Sequence, residues 1–442
     1  MPPRTSLKAF LATARAALAA PPAKRTRPLT FVVGNESADL DSLCSALLLA
    51  YFHTYAPPKK RGSADGSLAA STLHIPICHL QRADLALRPE FAAVLRDADI
   101  QGEDVFTLED VLPQQDGNAL SGKDVVDTEG IRPDDTRWLL VDHNAMTGPL
   151  ASRFAARVIG CVDHHADEGA VPHDADPRVI EKSGSCMSLV LEHSGAFRGS
   201  EKGSRSAEDA EIDAQLARVA LAPILIDTLN LGDETKTTAH DEAAVALAEA
   251  QIAAFPGEGK GEEKGYDRDA FFARLARLKE DIAGMTLRDV FRKDYKEWGV
   301  GALRLGTSSV PRGFAYLVRE QARGEPGALV AALRDWGREK DGGRGRMDLV
   351  VLLTGFQDAE GAFRRELLVW ARSEAGVRAA RRFEETCAEA LGLEVWGDGV
   401  LDSVRAGEGE WRRCWAQRAV EHSRKQIAPM LRDALREVAG RA

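Results

Sequence analysis

Residues 29–42 read Leu-Thr-Phe-Val-Val-Gly-Asn-Glu-Ser-Ala-Asp-Leu-Asp-Ser: an apolar run that stops at Gly34, with Asn35, Asp39 and Asp41 close behind. A short run rich in Val and Leu suits a strand buried on both faces, as in a parallel sheet. The same design recurs downstream. Arg-Trp-Leu-Leu-Val (137–141) precedes Asp142-His143-Asn144, Arg-Val-Ile-Gly-Cys-Val (157–162) precedes Asp163-His164-His165, and Pro-Ile-Leu-Ile (223–226) precedes Asp227. Four such strands in an open α/β sheet would carry five aspartates and several histidines to the carboxyl edge, where such sheets build their sites. That many carboxylates repel one another unless cations lie between them. The pattern predicts a polynuclear metal site.

Asp39 and Asp41, two apart in an extended loop, can address two metals, and Asp142 stands alone as a bridging carboxylate. His164 offers a nitrogen, and Asp227 completes its site. The expected arrangement has Asn35, Asp39 and Asp142 near one ion and Asp41, Asp142, His164 and Asp227 near the other. An oxygen-rich shell suits Mg²⁺ or Mn²⁺ better than zinc. Two such ions, roughly 3.5–4 Å apart, can hold a hydroxide and clamp a phosphoryl oxygen. Asp and Asn are also ordinary helix caps and turn residues. Any one position alone reads that way, and Asp41-Ser42 could cap the next helix. Four clusters in the same strand-end context do not. His143 stays open, since it could serve only to orient Asp142.

The chain of 442 residues exceeds one ordinary core, so two domains are expected. A formal charge of −10 argues against a general nucleic-acid binder but leaves room for a polyanionic substrate on a local basic patch. Six scattered cysteines without a CxxC pair suit free thiols in a reducing compartment. No apolar run reaches the roughly 20 residues of a membrane span. The first 34 residues are basic and free of acids, as in a mitochondrial transit peptide. They read better as an amphipathic helix with Leu7, Phe10, Leu11, Ala14 and Leu18 on one face, because the first core strand follows at once. A cytoplasmic monomer is expected, with neither membrane nor nucleic acid as partner.

A helix from about residue 40 to 55 should follow the first strand, and LHIPICHL (73–80) should be another strand. Residues 56–71 and 197–209 read as polar loops. A helix from about Ala210 leads into PILIDTLNL, the segment that delivers Asp227 to the site. Composition shifts at FPGEGKGEEKGYDR (255–268), glycine-rich and charged, which reads as an interdomain linker. Domain boundaries are therefore expected at 1–255, 256–267 and 268–442. The second domain should open with a helix over 269–285. Strands in VGALRLGTSS, DLVVLLTGFQ and ELLVWAR, a helix from about Gly376 and a terminal helix after SRKQIAP should follow.

The quoted segments resemble a known family. GNESADLDS (34–42), VDHN (141–144), VDHH (162–165) and IDTLNL (226–231) are similar to the four motifs of the DHH phosphoesterase superfamily. DYKEW (294–298) and SRKQIAP (423–429) resemble the signatures of its DHHA2 domain. Within the superfamily, GNESADLDS looks most like fungal-type exopolyphosphatases and the related prune proteins. Family II inorganic pyrophosphatases carry histidine where this chain has Asn35, and the GGGH motif of the DHHA1 branch is absent. The resemblance implies an N-terminal parallel-sheet DHH domain, a smaller α/β DHHA2 domain and an active site in the cleft between them. It implies two divalent ions held by Asp39, Asp41, Asp142, His164 and Asp227. His165 would contact phosphate and protonate the leaving oxygen, and Lys296, Ser423, Arg424 and Lys425 would bind substrate. Catalytic roles fall to His165, Asp142 and Asn35. Asn35 is a weaker ligand than imidazole, so the first metal should be looser.

The implied activity is exopolyphosphatase: hydroxide attacks the terminal phosphorus of inorganic polyphosphate and orthophosphate leaves. Alternatives are a prune-like enzyme acting on short chains or nucleotide phosphoesters, a family II-like pyrophosphatase, or a regulatory scaffold without turnover. Intact aspartates at every metal position argue against the scaffold. Other cationic groups, Lys59-Lys60-Arg61, Arg312 and Arg378 with Arg381-Arg382, are candidates to line a polyanion channel, and GTSS (306–309) could donate backbone N–H groups to phosphate.

Overall fold

The computed structural model describes residues 4–56, 72–112, 131–197, 206–255, 265–341, 345–403 and 411–440. The loop expected at 56–71, with Lys59-Lys60-Arg61, and most of the segments 197–209 and 255–268 lie outside the described residues. The chain divides into two compact units, Met1–Lys279 and Glu280–Ala442.

The first unit holds one parallel sheet of five strands: β1 (Leu29–Val33), β2 (His74–Ile77), β3 (Thr136–Val141), β4 (Val158–Asp163) and β5 (Arg178–Ile180), in the order β2-β1-β3-β4-β5. All five residues of β1 are buried, as its uninterrupted apolar sequence requires. Helix α1 (Leu7–Ala19) is capped by the Ser6 hydroxyl and buries Leu7, Phe10, Leu11 and Ala14, the predicted face. Helix α2 (Leu40–Tyr55) is buried along its whole length, which its nearly continuous apolar sequence permits. Around it pack α5 (Cys186–His193) and α6 (Ala207–Asp227), and α7 (Ala239–Ala254) packs on α5 and α6 in turn. Two shorter helices, α3 (Pro89–Asp97) and α4 (Gly148–Phe154), complete the connections.

Three of the four expected strand ends are strands. The fourth is not: Pro-Ile-Leu-Ile-Asp is the last turn and a half of α6, a 21-residue helix begun by a Ser206 cap. Its upstream sequence, AEDAEIDAQLARVALA, is dominated by strong helix formers, and the apolar end simply continues the helix into the core. Helix α8 (Arg268–Glu280), which the sequence reading gave to the second domain, buries Phe271 and Leu275 in the core of the first unit.

The second unit is built on a mixed sheet. Its strands are β6 (Tyr295–Val300), β7 (Leu303–Val310), β8 (Leu349–Thr354), β9 (Phe356–Gln357), β10 (Phe363–Ala371), β11 (Leu393–Val395) and β12 (Trp411–Gln417). The order is β11-β12-β10-β8-β7-β6, with β9 paired to β10. Only β7 and β8 are parallel. VGALRLGTSS therefore holds a hairpin, with Gly301 at φ 59° in the turn, and not a single strand. Helices α9 (Leu287–Lys293), a single turn α10 (Phe314–Tyr316), α11 (Pro326–Glu339), α12 (Glu374–Leu391) and α13 (Arg424–Ala439) cover the sheet. Alternation along β10 divides its residues. Leu368 and Trp370 join one core with α11, while Leu367, Val369 and Ala371 join another with α12 and α13. GTSS is strand backbone of β7. No helix of the described residues is long and apolar enough to cross a membrane.

Candidate active site

The order β2-β1-β3-β4-β5 reverses direction between β1 and β3, and at such a switch point the carboxyl ends of the strands part to leave a crevice. Asn35 follows β1, Asp142 follows β3, and His164 and His165 follow β4. The topology thus gathers the predicted residues at one edge.

Gly34 ends the first strand. A Cβ there would lie 2.7 Å from both Cβ and the carbonyl oxygen of Ser42, so only glycine lets the loop fold back over α2. Asp39 caps α2, its carboxylate accepting the Ser42 N–H at 3.1 Å. Asp41 is buried in the first turn and accepts the N–H groups of Cys186 (2.6 Å) and Met187 (3.0 Å), the first turn of α5, and the Ser45 hydroxyl (3.1 Å). Burial nevertheless raises its pKa, the nearby His164 opposing and Asp39 reinforcing.

Asp142 has φ 61°, a left-handed conformation that Asp and Asn tolerate better than most residues. Its Oδ2 accepts from the Ser42 hydroxyl (2.6 Å) and from Asn35 Nδ2 (2.8 Å), while Oδ1 lies 3.1 Å from His164 Nε2. Burial first, and then the charge of Asp39, pushes its pKa up to about 7. His164 Nδ1 is 2.9 Å from the Ser183 carbonyl, which can only accept, so Nδ1 carries a hydrogen and Nε2 faces Asp142. Burial lowers the His164 pKa, but the Asp142 hydrogen bond and the charges of Asp41 and Asp142 outweigh it and lift it to about 10.

His165 is exposed and sits edge-on to His164. Its Nδ1 lies 2.8 Å from Asp163 Oδ1, an oxygen that also accepts the N–H groups of His164 and His165, while Oδ2 accepts from Asn144 (2.6 Å). Burial alone would raise the Asp163 pKa. The bonds from His165 and Asn144 reverse that and hold it below the usual carboxylate range. Asp227, the last residue of α6, is half-buried. Its pKa is driven well up by burial and then by Asp41, with Lys279 opposing and Asp39 and Asp142 adding to the rise.

Seven predicted residues therefore share one edge of the first unit: Asn35, Asp39, Asp41, Asp142, His164, His165 and Asp227. The orientation of Asn35 was not foreseen. Its Nδ2 donates to the carboxylate and carbonyl of Asp142, and its Oδ1 accepts the Ser37 N–H at 2.8 Å. Flipping the amide would set oxygen against oxygen at Asp142. Asn35 thus positions Asp142. His143 donates to or accepts from nothing on Asp142. Its Nδ1 binds the Val141 carbonyl, and burial lowers its pKa to about 4.

The donor set fits divalent cations. Asp41, Asp142 and Asp227 each have a pKa raised by burial and by other carboxylates, a cost that positive charge removes. Ligand atoms of Asp142, His164 and His165 lie within 4.8 Å of one another. Carboxylate oxygens with imidazole nitrogen suit Mg²⁺ or Mn²⁺.

Supporting contacts escaped the sequence reading. Arg88 is buried and donates to the carbonyls of Ser37 (2.8 Å) and Ala38 (2.9 Å), fixing the loop that carries Asp39. Asp241 accepts from Ser183, Gly184, Ser185, Ser188 and Thr238 and so fixes the segment that supports His164 and Asp41. The Thr238-x-x-Asp241 capping box was legible. Its distant partners were not.

The predicted substrate-binding residues lie in the second unit. Lys296 is the second residue of β6. Ser423 caps α13, its hydroxyl accepting the Lys425 N–H at 3.2 Å, with Gln426 completing a capping box. Arg424 donates to the Asp294 carbonyl (2.9 Å) and carboxylate (2.8 Å), and Lys425 is exposed.

Two family models match this chain: the DHH family, N-terminal domain, over residues 30–224, and the DHHA2 domain over residues 273–434. A Schizosaccharomyces pombe protein named "Putative exopolyphosphatase" is 30% identical over 414 residues, covering 93% of this chain and 92% of its own length. Exopolyphosphatase PRUNE1 of Rattus norvegicus is 28% identical over 289 residues, 65% of this chain and 52% of that protein, so the chain spans about half the length of that relative. Among solved structures, a Methanococcus jannaschii "putative family II inorganic pyrophosphatase" aligns over 92% of this chain and 99% of its own at 18% identity, with a TM-score of 0.49. The two domain matches in tandem, and similarity to a relative along nearly its whole length, make this chain a member of the DHH family with a DHHA2 domain.

Proposed function

We propose that this chain is a metal-dependent phosphoanhydride hydrolase that removes the terminal phosphate of inorganic polyphosphate as orthophosphate, working as a cytoplasmic monomer. The observation that carries the reading is the constellation at one edge of the first unit, Asp39 and Asp41 at the start of α2, Asp142, His164 and His165 after β3 and β4, and Asp227 at the end of α6. It is supported by similarity to a relative named as an exopolyphosphatase over nearly its whole length.

Asp39, Asp41, Asp142, His164 and Asp227 would hold two divalent ions, which would supply Lewis-acid activation of water and neutralise charge on the transferring phosphoryl group. The remaining work falls to the protein. Asn35 and Ser42 hold Oδ2 of Asp142, so its carboxylate keeps one orientation. The Ser183 carbonyl holds the Nδ1–H of His164, so Nε2, which faces Asp142, is the nitrogen that would ligate. Asp163 binds His165 Nδ1, which leaves Nε2 to pass a proton to the leaving phosphate oxygen. Lys296, Arg424 and Lys425 bind substrate phosphates.

Asn35 bears on substrate choice. The pyrophosphatase-like pattern wants histidine here, and this side chain instead serves Asp142 as a donor. The test is orthophosphate release from long polyphosphate, tripolyphosphate, pyrophosphate and a cyclic nucleotide, with Mg²⁺ and then Mn²⁺. Highest kcat/KM on polyphosphate is expected. A preference for pyrophosphate or the cyclic nucleotide overturns the substrate reading, and no turnover with either metal favours the scaffold.

A further inference from the structure

One arginine in the second unit lacks the partner that its neighbours have. Arg364 pairs with Asp358, Arg312 with Glu280, Arg413 with Asp402 and Arg418 with Glu394. Arg365 is half-buried, yet among the described residues no carboxylate lies within ion-pair distance of it. Its Nε donates to the Val420 carbonyl at 2.6 Å, and its two Nη groups have no protein acceptor among the described residues. Burial alone pulls its pKa down, with no acidic neighbour to lift it. The guanidinium also lies over the Phe363 ring, 4.9 Å from its centroid, a contact that supplies no counter-charge. A partly desolvated cation without a counter-charge is costly and calls for an anion.

Sheet register says where this cation points. Arg365 shares its face of β10 with Leu367, Val369 and Ala371, which pack with Ile427 and Leu431 of α13. Lys296 shares its face of β6 with Trp298, which packs against that same core. The lateral pairs run Leu367 to Leu353 on β8, then Ser309 to Leu353 on β7, then Tyr295 to Ser308 on β6. Arg365 and Lys296 thus stand near one end of the face that α13 covers. The beginning of α13 is at that end: Arg424 bonds to Asp294, just ahead of β6, and Val420, held by Arg365, lies three residues before the Ser423 cap.

We propose that Arg365 is a further substrate-binding residue, presenting its two free Nη groups to a phosphate of the chain alongside Lys296, Arg424 and Lys425. The proposal rests on the polyphosphate reading above. A guanidinium fork matches two phosphate oxygens at once, and a condensed phosphate longer than pyrophosphate needs more cations than a terminal clamp supplies.

Arg365→Met removes the charge and keeps the aliphatic stem. KM for polyphosphate should rise roughly tenfold, near the lower end of what losing a charge-assisted hydrogen bond gives. kcat should stay within about twofold, and metal titration should be unchanged. Arg365→Lys should recover part of the loss, because it restores charge without the fork. Binding of imidotriphosphate, which resists hydrolysis, should weaken in parallel. If Arg365→Met fails to fold, Arg365→Gln, which can still donate to Val420, repeats the measurement. A folded, charge-free variant with parental KM and parental analogue binding, in a chain that does hydrolyse polyphosphate, overturns the assignment and leaves the substrate reading standing. A parent that neither hydrolyses polyphosphate nor binds the analogue overturns both.

Discussion

At the scale of single residues, the site turns on how Asp142 is held. Its left-handed backbone accepts Asn as readily as Asp, and an amide can keep the oxygen toward Asn35 and Ser42 while offering N–H to a neutral His164. Asp142→Asn should therefore fold, with a melting temperature in EDTA at or above that of the parent, because one repelling carboxylate is gone. Phosphate release should fall at least about a thousandfold, as expected when an electrostatic contact to the reacting group is lost. Near-normal turnover in this variant would remove Asp142 from the centre of the reaction. Asn35→Asp is the complementary test. It is isosteric but replaces a donor to Asp142 with a second carboxylate. Metal affinity, read by calorimetry, should drop roughly 10–100-fold, the usual cost of losing a ligand's supporting hydrogen bond. The residue types of this site were legible because carboxylates and histidines at strand ends are chemically loud. Which end of the Asn35 amide faces Asp142 was not, since that depends on the Ser37 N–H and on a residue 107 positions away.

At the scale of elements, the segment 183–188 links the site to α7. Its Ser183 carbonyl fixes His164, its Cys186 and Met187 N–H groups hold Asp41, and the buried carboxylate of Asp241 binds it from behind. Gly184 is required there, since a Cβ would lie 2.8 Å from Asp241 Oδ2 and 2.7 Å from Thr228. Asp241→Ala should cost at least about 3 kcal/mol, because several buried donors lose their acceptor together. Burial would raise the Asp241 pKa, but the donors from Ser188, Gly184 and Thr238 bring it below its ordinary 3.8. Its contribution is thus complete above pH 3.8 and lost as pH falls through the folded value. In urea titrations the gap between parent and variant should be constant from pH 7 down to about pH 4 and narrow only as pH falls further, through the folded value. A gap independent of pH would mean that the carboxylate charge is not what binds the segment. The strands β1, β3 and β4 and the helix α2 could be read from apolar runs and their punctuation. The fourth run is ambiguous because a buried helix end and a buried strand look alike over four residues, and only the upstream helix formers separate them. Strand β12, WRRCWAQ, was missed for a related reason: its arginines at 412 and 413 break the apolar pattern, and they are accommodated through the Leu401 carbonyl and Asp402, contacts that no local pattern announces.

At the scale of the whole molecule, the first unit has one core and the second has a core on each face of its sheet, and the candidate residues divide between the units by type. The residues that would bind metal, with the partners that position them, all belong to Met1–Lys279 and its single core. The candidate phosphate-binding cations, Lys296, Arg365, Arg424 and Lys425, belong to Glu280–Ala442. A chain of net charge −10 can attract a polyanion only where cations are gathered, and the end of the second sheet is such a place. Arg424→Ala tests this division. The guanidinium is bound to the Asp294 carbonyl and carboxylate, so truncation removes a cation and also one neutralising partner of an acidic residue two positions from Lys296. Both changes weaken the attraction for phosphate. KM for polyphosphate should rise about tenfold or more, and kcat should fall too if the same group stabilises the transferring phosphoryl. Metal affinity measured without substrate should equal that of the parent, because none of the candidate metal ligands lies in the second unit and, among the described residues, neither does any partner that positions one. If Arg424→Ala loses its metals, the two roles are not separate. If it keeps parental metal binding and parental KM, Arg424 belongs to Asp294 and α13 as a structural contact, and the substrate must be held by the other cations of that face.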